Sequence, residues 1–486
     1  MGDTRASIAL ASLVGLAVTL AVYYLSLHFI FEFGVCCADD ASYAVIAKFL
    51  ATRGLYGWPL SSDQFDLFSP GIGSGPALIV PAALAIKVLG AKTWVPGMTA
   101  LLLFTCQLVG AGIVLGRYFS ITGAILFIAL LTASLNVISG WQWYFPILLG
   151  ELPAFGFILI GAAALATGRG AFMAGLAFGV AFLTKQIVLF SECAIVLVWL
   201  GLQWKSHGWR TSLALFGRIF FGAAIPVLAF ELCKVVVLGP TTYLDYFSRL
   251  TAITKTMAVG SPATLAERIH RFSEVILNDY FAGWNTAAAV AVGIVALIHL
   301  LRSKWDRANG NFVFGCVLFA GGLAHFAYVL FVSILWSRYF YIGVALITAA
   351  AVSPILSLRN LPRYCHAAAI ASMLLTPSAV SRVTGWALAD SNNASHLRKT
   401  VRFIKSHPNL PIASQSWATF YDVLFLLKKD REWVFFWGLE RLKGRSYMVV
   451  LNTHFADTST KEYQATVSDC RLELERGVYR VYVCGD

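Results

Sequence analysis

Two adjacent carboxylates, Asp39 and Asp40, stand in the run Cys36-Cys37-Ala38-Asp39-Asp40-Ala41-Ser42-Tyr43. An acid pair can act as general base towards a hydroxyl, bind a cation, or cap a helix by accepting its orphan N–H bonds. Spacing leaves all three open. A further acid, Glu151, in Leu149-Gly150-Glu151-Leu152-Pro153-Ala154, follows the aromatic group Trp141, Trp143, Tyr144 and Phe145. Carboxylates beside aromatics hold sugar rings, with hydroxyls hydrogen-bonded and apolar faces stacked; an interfacial aromatic belt is the competing reading. Two cations complete the set: Lys185, in Leu183-Thr184-Lys185-Gln186, and Arg338, in Trp336-Ser337-Arg338-Tyr339. Together they suit a lipid phosphate, Arg as a bidentate fork and Lys as a point charge; snorkelling to headgroups is the alternative. His325 sits inside an apolar run, where a core histidine bonded to a neighbour is the plainer reading than a catalytic one. Metal-ligand spacing is missing among the nine cysteines. Cys106, Cys193 and Cys316 read as small apolar residues of buried helices.

These residues must be held by membrane helices. The chain has 486 residues, 58% hydrophobic and only 13% charged, about half the charged share of a soluble protein, and its mean hydropathy is +0.72. The net charge of +12 is scattered singly between apolar runs, so it reads as topology and not as a nucleic-acid surface. The first run, Ile8 to Ile30, is too long for a signal-peptide core and no cleavage site follows it. It is expected to remain as the first transmembrane helix, so that Asp39 and Asp40 emerge where hydrocarbon ends.

After a helix-prone stretch from Ala41 to Leu50, residues 60–76 are too rich in Gly and Pro for a lipid-exposed span. Ala77 to Leu89 is short, contains Pro81 and Lys87, and reads as an interfacial or re-entrant helix, with Lys92-Thr93-Trp94 as headgroup anchor. Spans are expected at Val95–Leu115, Ile121–Ile138, Leu152–Ala166, Ala171–Thr184, Leu189–Leu202, Ser212–Val237, Thr286–Leu301, Phe312–Leu335, Tyr339–Leu356 and Ala367–Val380. With the first helix that makes about eleven crossings. A cytoplasmic amino terminus then puts Arg117, Arg169, Lys205, Arg210, the cluster from Arg302 to Arg307 and that from Arg359 to Arg363 on one side, as the inside-positive bias requires. The acid pair, Trp141 to Pro153, the long loop Gly239 to Trp284 and the tail fall on the external face.

From about Arg382 the composition changes. Pro411–Ser414, Glu432–Phe436 and Tyr447–Leu451 read as short strands, with Leu397–Ser406 and Trp417–Leu427 as helices. The last stretch alternates in polarity about Arg476-Gly477. A hairpin there brings Cys470 towards Cys484, and an oxidising external compartment favours a disulfide over two free thiols. The expected fold class is therefore an all-α polytopic membrane protein, residues 1–381 with a first external loop over 31–94, followed by a small soluble α/β domain over 382–486.

The order of these motifs resembles that of the GT-C glycosyltransferases: Asp39-Asp40-x-x-Tyr43 after the first helix, a Gly-Pro-rich loop, an interfacial helix, Glu151-Leu152-Pro153-Ala154, Leu183-Thr184-Lys185, and Arg338-Tyr339 before a late span. The nearest branch in this resemblance holds the protein O-mannosyltransferases, the lipid A aminoarabinose transferase and the rhizobial lipopolysaccharide galacturonosyltransferases. It covers about residues 1–380. The chain departs from it in having Asp rather than Glu at position 40, and Arg338-Tyr339-Phe340-Tyr341 where many relatives have a proline soon after Arg-Tyr.

The resemblance implies an inverting transfer from a polyprenyl-phosphate sugar to a hydroxyl of a glycan, lipid or protein on the external face of a bacterial inner membrane. Asp39 would be the general base and Asp40 would orient the acceptor or the base. Tyr43, Glu151, Trp141, Trp143, Tyr339 and His325 would line the substrate site, and Lys185 and Arg338 would bind the donor phosphate. The scheme needs no cofactor and leaves a divalent metal undecided. A monomer surrounded by membrane lipids, with no nucleic-acid partner, is expected. A transporter or lipid flippase is the rival class, though such proteins usually carry internal pseudo-symmetry and helices broken near the midplane. Here the unusual polar residues collect towards one face.

Overall fold

The computed structural model describes residues 20, 23–24, 26–32, 34–35, 38–138, 147–168, 170–258, 264–276, 310–333, 335–356, 393–427 and 431–485. Helix α1 (Ala38–Arg53) opens with Asp39 and Asp40 in its first turn and closes with Arg53 in its last, the charge order that a helix dipole favours. A two-stranded ribbon follows, β1 (Gly57–Pro59) antiparallel to β2 (Phe65–Leu67), within a segment read from sequence as loop. Helix α2 (Pro76–Leu89) starts with proline at its first turn, where the missing N–H costs nothing, and Gly90 ends it.

The membrane helices come next: α3 (Val95–Tyr118), α4 (Ile121–Ile138), α5 (Glu151–Ala166), α6 (Ala171–Thr184), α7 (Leu189–His207) and α8 (Trp209–Leu238). Then come α9 (Pro240–Ala258), α10 (Leu265–Val275), α11 (Gly310–Phe331) and α12 (Ser337–Val352). Among the described residues five helical stretches are long and apolar enough to cross a bilayer: α3, α7 with its preceding turn, α8, α11 and α12 with the turn after it. α2, α5, α6 and most of α4 are shorter apolar helices. The expected spans Thr286–Leu301 and Ala367–Val380, and most of Ile8–Ile30, lie outside the described residues. The segment from Gly239, expected to be a loop, instead carries α9 and α10. α10 begins with a capping box, in which Thr264 accepts from the Glu267 N–H and the Glu267 carboxylate accepts from the Thr264 N–H.

The chain forms two compact units. One takes residues Met1–Leu25, Leu102–Phe145 and Gly150–Gly385. Its tightest packing is between α6 and α8, where Gly175 and Gly179 face Ile219 and Ala223, and Gly222 faces Phe172. A Cβ at these positions would run into backbone, so small residues let the two helices approach as they do in membrane pairs generally.

The other unit takes Ser26–Leu101, Pro146–Leu149 and Trp386–Asp486, so the segment from α1 to α2 and the tail belong together. The tail runs α13 (Asn393–Ser406), β3 (Ile412–Ser414), α14 (Tyr421–Leu426), β4 (Trp433–Phe435), β5 (Tyr447–Asn452), α15 (Lys461–Val467), β6 (Arg471–Arg476) and β7 (Tyr479–Cys484). The sheet order is β4-β3-β5-β7-β6, with β3 parallel to β4 and β5, and β7 antiparallel to β5 and β6. Alternation sends Ala413, Val434, Val449 and Leu451 into a core with Tyr463, while Trp433 and Phe435 on the opposite face meet Phe420 and Tyr421. Asp422 is buried in this domain and accepts from Tyr479 Oη at 2.8 Å, Asn452 Nδ2 at 2.9 Å and the Val423 N–H at 2.7 Å. Burial pushes its carboxyl up in spite of these donors. Gly477, at φ +57°, supplies the left-handed residue of the β6–β7 turn, and a disulfide joins Cys470 to Cys484 across the hairpin.

Candidate functional site

In the unit that holds α1 and the tail, Asp39 and Asp40 differ in burial although they are neighbours. Asp40 is buried, 2% exposed, and its Oδ1 accepts from the Leu148 N–H at 2.6 Å. Leu149 is tied in turn, its carbonyl accepting from Ser74 Oγ at 2.5 Å. Asp40 therefore secures the segment that leads to Glu151. Asp39 keeps part of its surface exposed, so a solute can reach its carboxylate. Tyr43, one turn on, is buried at 5% exposure.

In the membrane unit the chain turns through Gly150, which has φ +90°, a left-handed conformation that a side chain would strain. Glu151 then opens α5. Its Oε1 lies 2.9 Å from Lys185 Nζ, with both side chains almost fully buried, while Oε2 accepts no hydrogen bond among the described residues. Lys185 is placed by the end of α6, where the backbone turns extended before a short 3-10 segment. Its ammonium also lies 5.9 Å from the centre of the Tyr339 ring. Arg338, in the first turn of α12, sits with its guanidinium 4.6 Å from the Trp336 ring and 5.2 Å from Tyr339, and those two rings stack at 5.8 Å.

His325 of α11 is fully buried beneath this group. Its Nε2 is 2.7 Å from the Tyr339 carbonyl and its Nδ1 is 3.2 Å from Ser191 Oγ. A carbonyl can only accept, so Nε2 carries a proton and donates; in the neutral ring Nδ1 then accepts from the serine. This histidine fastens the start of α12, and so Arg338 and Tyr339, to α7 and α11. Arg268 of α10 contributes a parallel tie, Nε donating to Leu330 O and Nη2 to Ser333 O, each at 2.6 Å.

The structure thus brings together Glu151, Lys185, Arg338, Tyr339 and His325 from three helices and one turn, and places Asp39, Asp40 and Tyr43 on α1 of the other unit. Trp141 and Trp143 lie outside the described residues. Sequence reading gave no reason to single out Ser191 or Trp336, because the partner of each is set by packing. Among the described residues no group of three His, Cys, Asp or Glu side chains gathers in a way that could hold a metal.

No family model and no curated protein sequence matches the chain. Solved structures do. ArnT from Cupriavidus metallidurans bound to undecaprenyl phosphate superposes with a TM-score of 0.64 at 13% identity, covering 97% of each chain. The same protein in its apo state gives 0.55, again over 97% of each chain. The Archaeoglobus fulgidus oligosaccharyltransferase in its apo form gives 0.50 at 10% identity, covering 95% of this chain and 70% of that one. Over 97% of its length the chain has the fold that ArnT takes.

Proposed function

We propose that this protein is an inverting glycosyltransferase that moves a sugar from a polyprenyl-phosphate donor to a hydroxyl acceptor on the external face of a bacterial inner membrane. The observation that carries this reading is the buried Lys185–Glu151 pair set against Tyr339 and Arg338. A cation pair among aromatics is suited to a phosphate whose prenyl chain lies in lipid, and the undecaprenyl phosphate bound by ArnT supports that ligand class.

Asp39 takes the proton of the acceptor hydroxyl as its oxygen bonds to the anomeric carbon. The bond from that carbon to the phosphate oxygen breaks on the opposite face, so the configuration inverts and polyprenyl phosphate leaves. Lys185 and Arg338 stabilise the charge that grows on the departing phosphate. Glu151 holds the ammonium in place through Oε1 and offers Oε2 to a sugar hydroxyl. Asp40, closed off by Leu148, orients the base by fixing α1. No step in this scheme requires a metal.

The test is incubation of purified protein in lipid discs with undecaprenyl phosphate carrying neutral, acidic or amino sugars, together with lipid and glycan acceptors. Release of undecaprenyl phosphate from one of them is the expected result. No turnover of any donor by folded protein contradicts the proposal and favours a transporter.

A further inference from the structure

Lys48 is buried in an unusual place for a lysine. It lies on α1 at 5% exposure, and its Nζ donates to Leu424 O at 2.7 Å and to Leu427 O at 2.6 Å. Those carbonyls belong to the carboxyl end of α14, six residues long, where Leu424 O also accepts from the Leu427 N–H at 3.3 Å. The charged groups that bear on Lys48 are Arg53 on its own helix and Lys405 of α13, both of like sign, and the Phe49 ring lies 5.7 Å from Nζ. An apolar residue would fill this space without the desolvation cost of an ammonium. What the lysine adds is direction, since its Nζ donors meet two carbonyls in one register of α1 against α14.

Other ties join the same two parts of this unit. Tyr421 Oη donates to Pro59 O, the Ser62 N–H donates to Trp433 O at 3.2 Å, Trp58 meets Trp417 edge-on at 5.5 Å, and Arg441 pairs with Asp63 at 3.1 Å. Asp39 and Lys48 are nine residues apart, which at 3.6 residues per turn is about two and a half turns, so they leave α1 on opposite sides. The tail grips the back of the helix whose front presents Asp39.

We infer that the tail domain is a positioning element for sugar transfer, and that Lys48 is the positioning residue through which it sets the orientation of Asp39. This rests on the proposed role of Asp39 as base. It gives the tail a task inside the transfer reaction and not that of a separable docking module.

The test is Lys48→Met in the full chain, in lipid discs, beside wild type and Lys48→Arg. Backbone hydrogen exchange should quicken in α1 and α14 of Lys48→Met and stay unchanged in α6 and α8. With the undecaprenyl-phosphate sugar that wild type turns over, kcat should fall roughly 100-fold, as misplacement of a reacting group by about 1 Å can cause. The donor KM should stay within about twofold, because donor binding and base placement are separate contributions. Lys48→Arg, which keeps N–H donors for the two carbonyls, should restore part of both readouts. If Lys48→Met does not fold, Tyr421→Phe removes a single neighbouring tie, and the same segments should exchange faster with kcat down roughly fivefold. An active wild type whose folded variant keeps its exchange pattern and its kcat overturns the inference. A wild type inactive with every donor marks failure of the transfer reading, while the exchange comparison still shows whether Lys48 anchors α1.

Discussion

At the scale of single residues, the pairing of Lys185 with Glu151 separates two contributions that one substitution would confuse. Removing either partner leaves a buried charge uncompensated, which costs about 3–5 kcal/mol. Lys185→Ala should therefore lower both the melting temperature and donor binding. The double variant Glu151→Leu/Lys185→Met replaces the pair with apolar residues of similar size, which is often neutral for stability. Its melting temperature should return towards wild type while donor binding stays weak. Recovery of donor affinity along with stability would remove Lys185 from the phosphate site. The three residues involved here were visible as types in the chain: Glu151 stood at a helix start, and Lys185 and Arg338 stood at span ends where the inside-positive bias disfavours them. Their pairing was not visible, because an ion pair across 34 positions (151 to 185) is made by packing α5 against α6 and leaves no periodic trace.

At the scale of elements, α1 and α14 are coupled through a lysine whose proton is loosely held. Burial first, then Arg53 and Lys405, lower the Lys48 ammonium from 10.5 to about 7. The docked helix therefore prefers neutral Lys48, whereas the undocked side chain stays protonated until the pH nears the free-lysine value. Between about pH 7 and 10.5 the undocked state binds more protons, so raising pH should strengthen docking, by up to about 1.4 kcal/mol per pH unit. Below that window the dependence should be flat. Neutral lysine keeps two N–H donors, so both carbonyl bonds survive the loss of charge. The check is the urea midpoint for release of the tail, read by limited proteolysis of the full chain in lipid discs, which should rise with pH in wild type and stay level in Lys48→Met. Sequence reading had no access to this coupling: a lysine in a helix-prone stretch reads as solvated until the domain more than 370 positions later, at Leu424, covers it. It also missed α9 and α10, whose apolar faces are too narrow to register as spans, and whose caps were passed over in a stretch taken as loop.

At the scale of the whole molecule, composition and motif order carried most of the fold. Apolar runs placed the described membrane helices within a few residues. Period-two alternation found the strands of the tail, including the hairpin closed by Cys470 and Cys484. What composition could not convey is that the tail and the segment from α1 to α2 form one unit, since that union is made by side chains far apart in the chain. Orientation is testable on the intact protein. A cysteine at Ser459, exposed in the tail, should react with a membrane-impermeant maleimide from the external side, and one at Ser206, exposed near the end of α7, should react only after permeabilisation. The reverse pattern would place Asp39 on the cytoplasmic face and end the external-transfer reading. The most direct measurement is release of undecaprenyl phosphate by wild type and Asp39→Asn with the donor that wild type accepts. The variant keeps the shape of the side chain and removes the base. Its turnover should fall by about 10² to 10⁴ with the donor still bound and the protein still folded. Turnover equal to wild type would contradict Asp39 as the base.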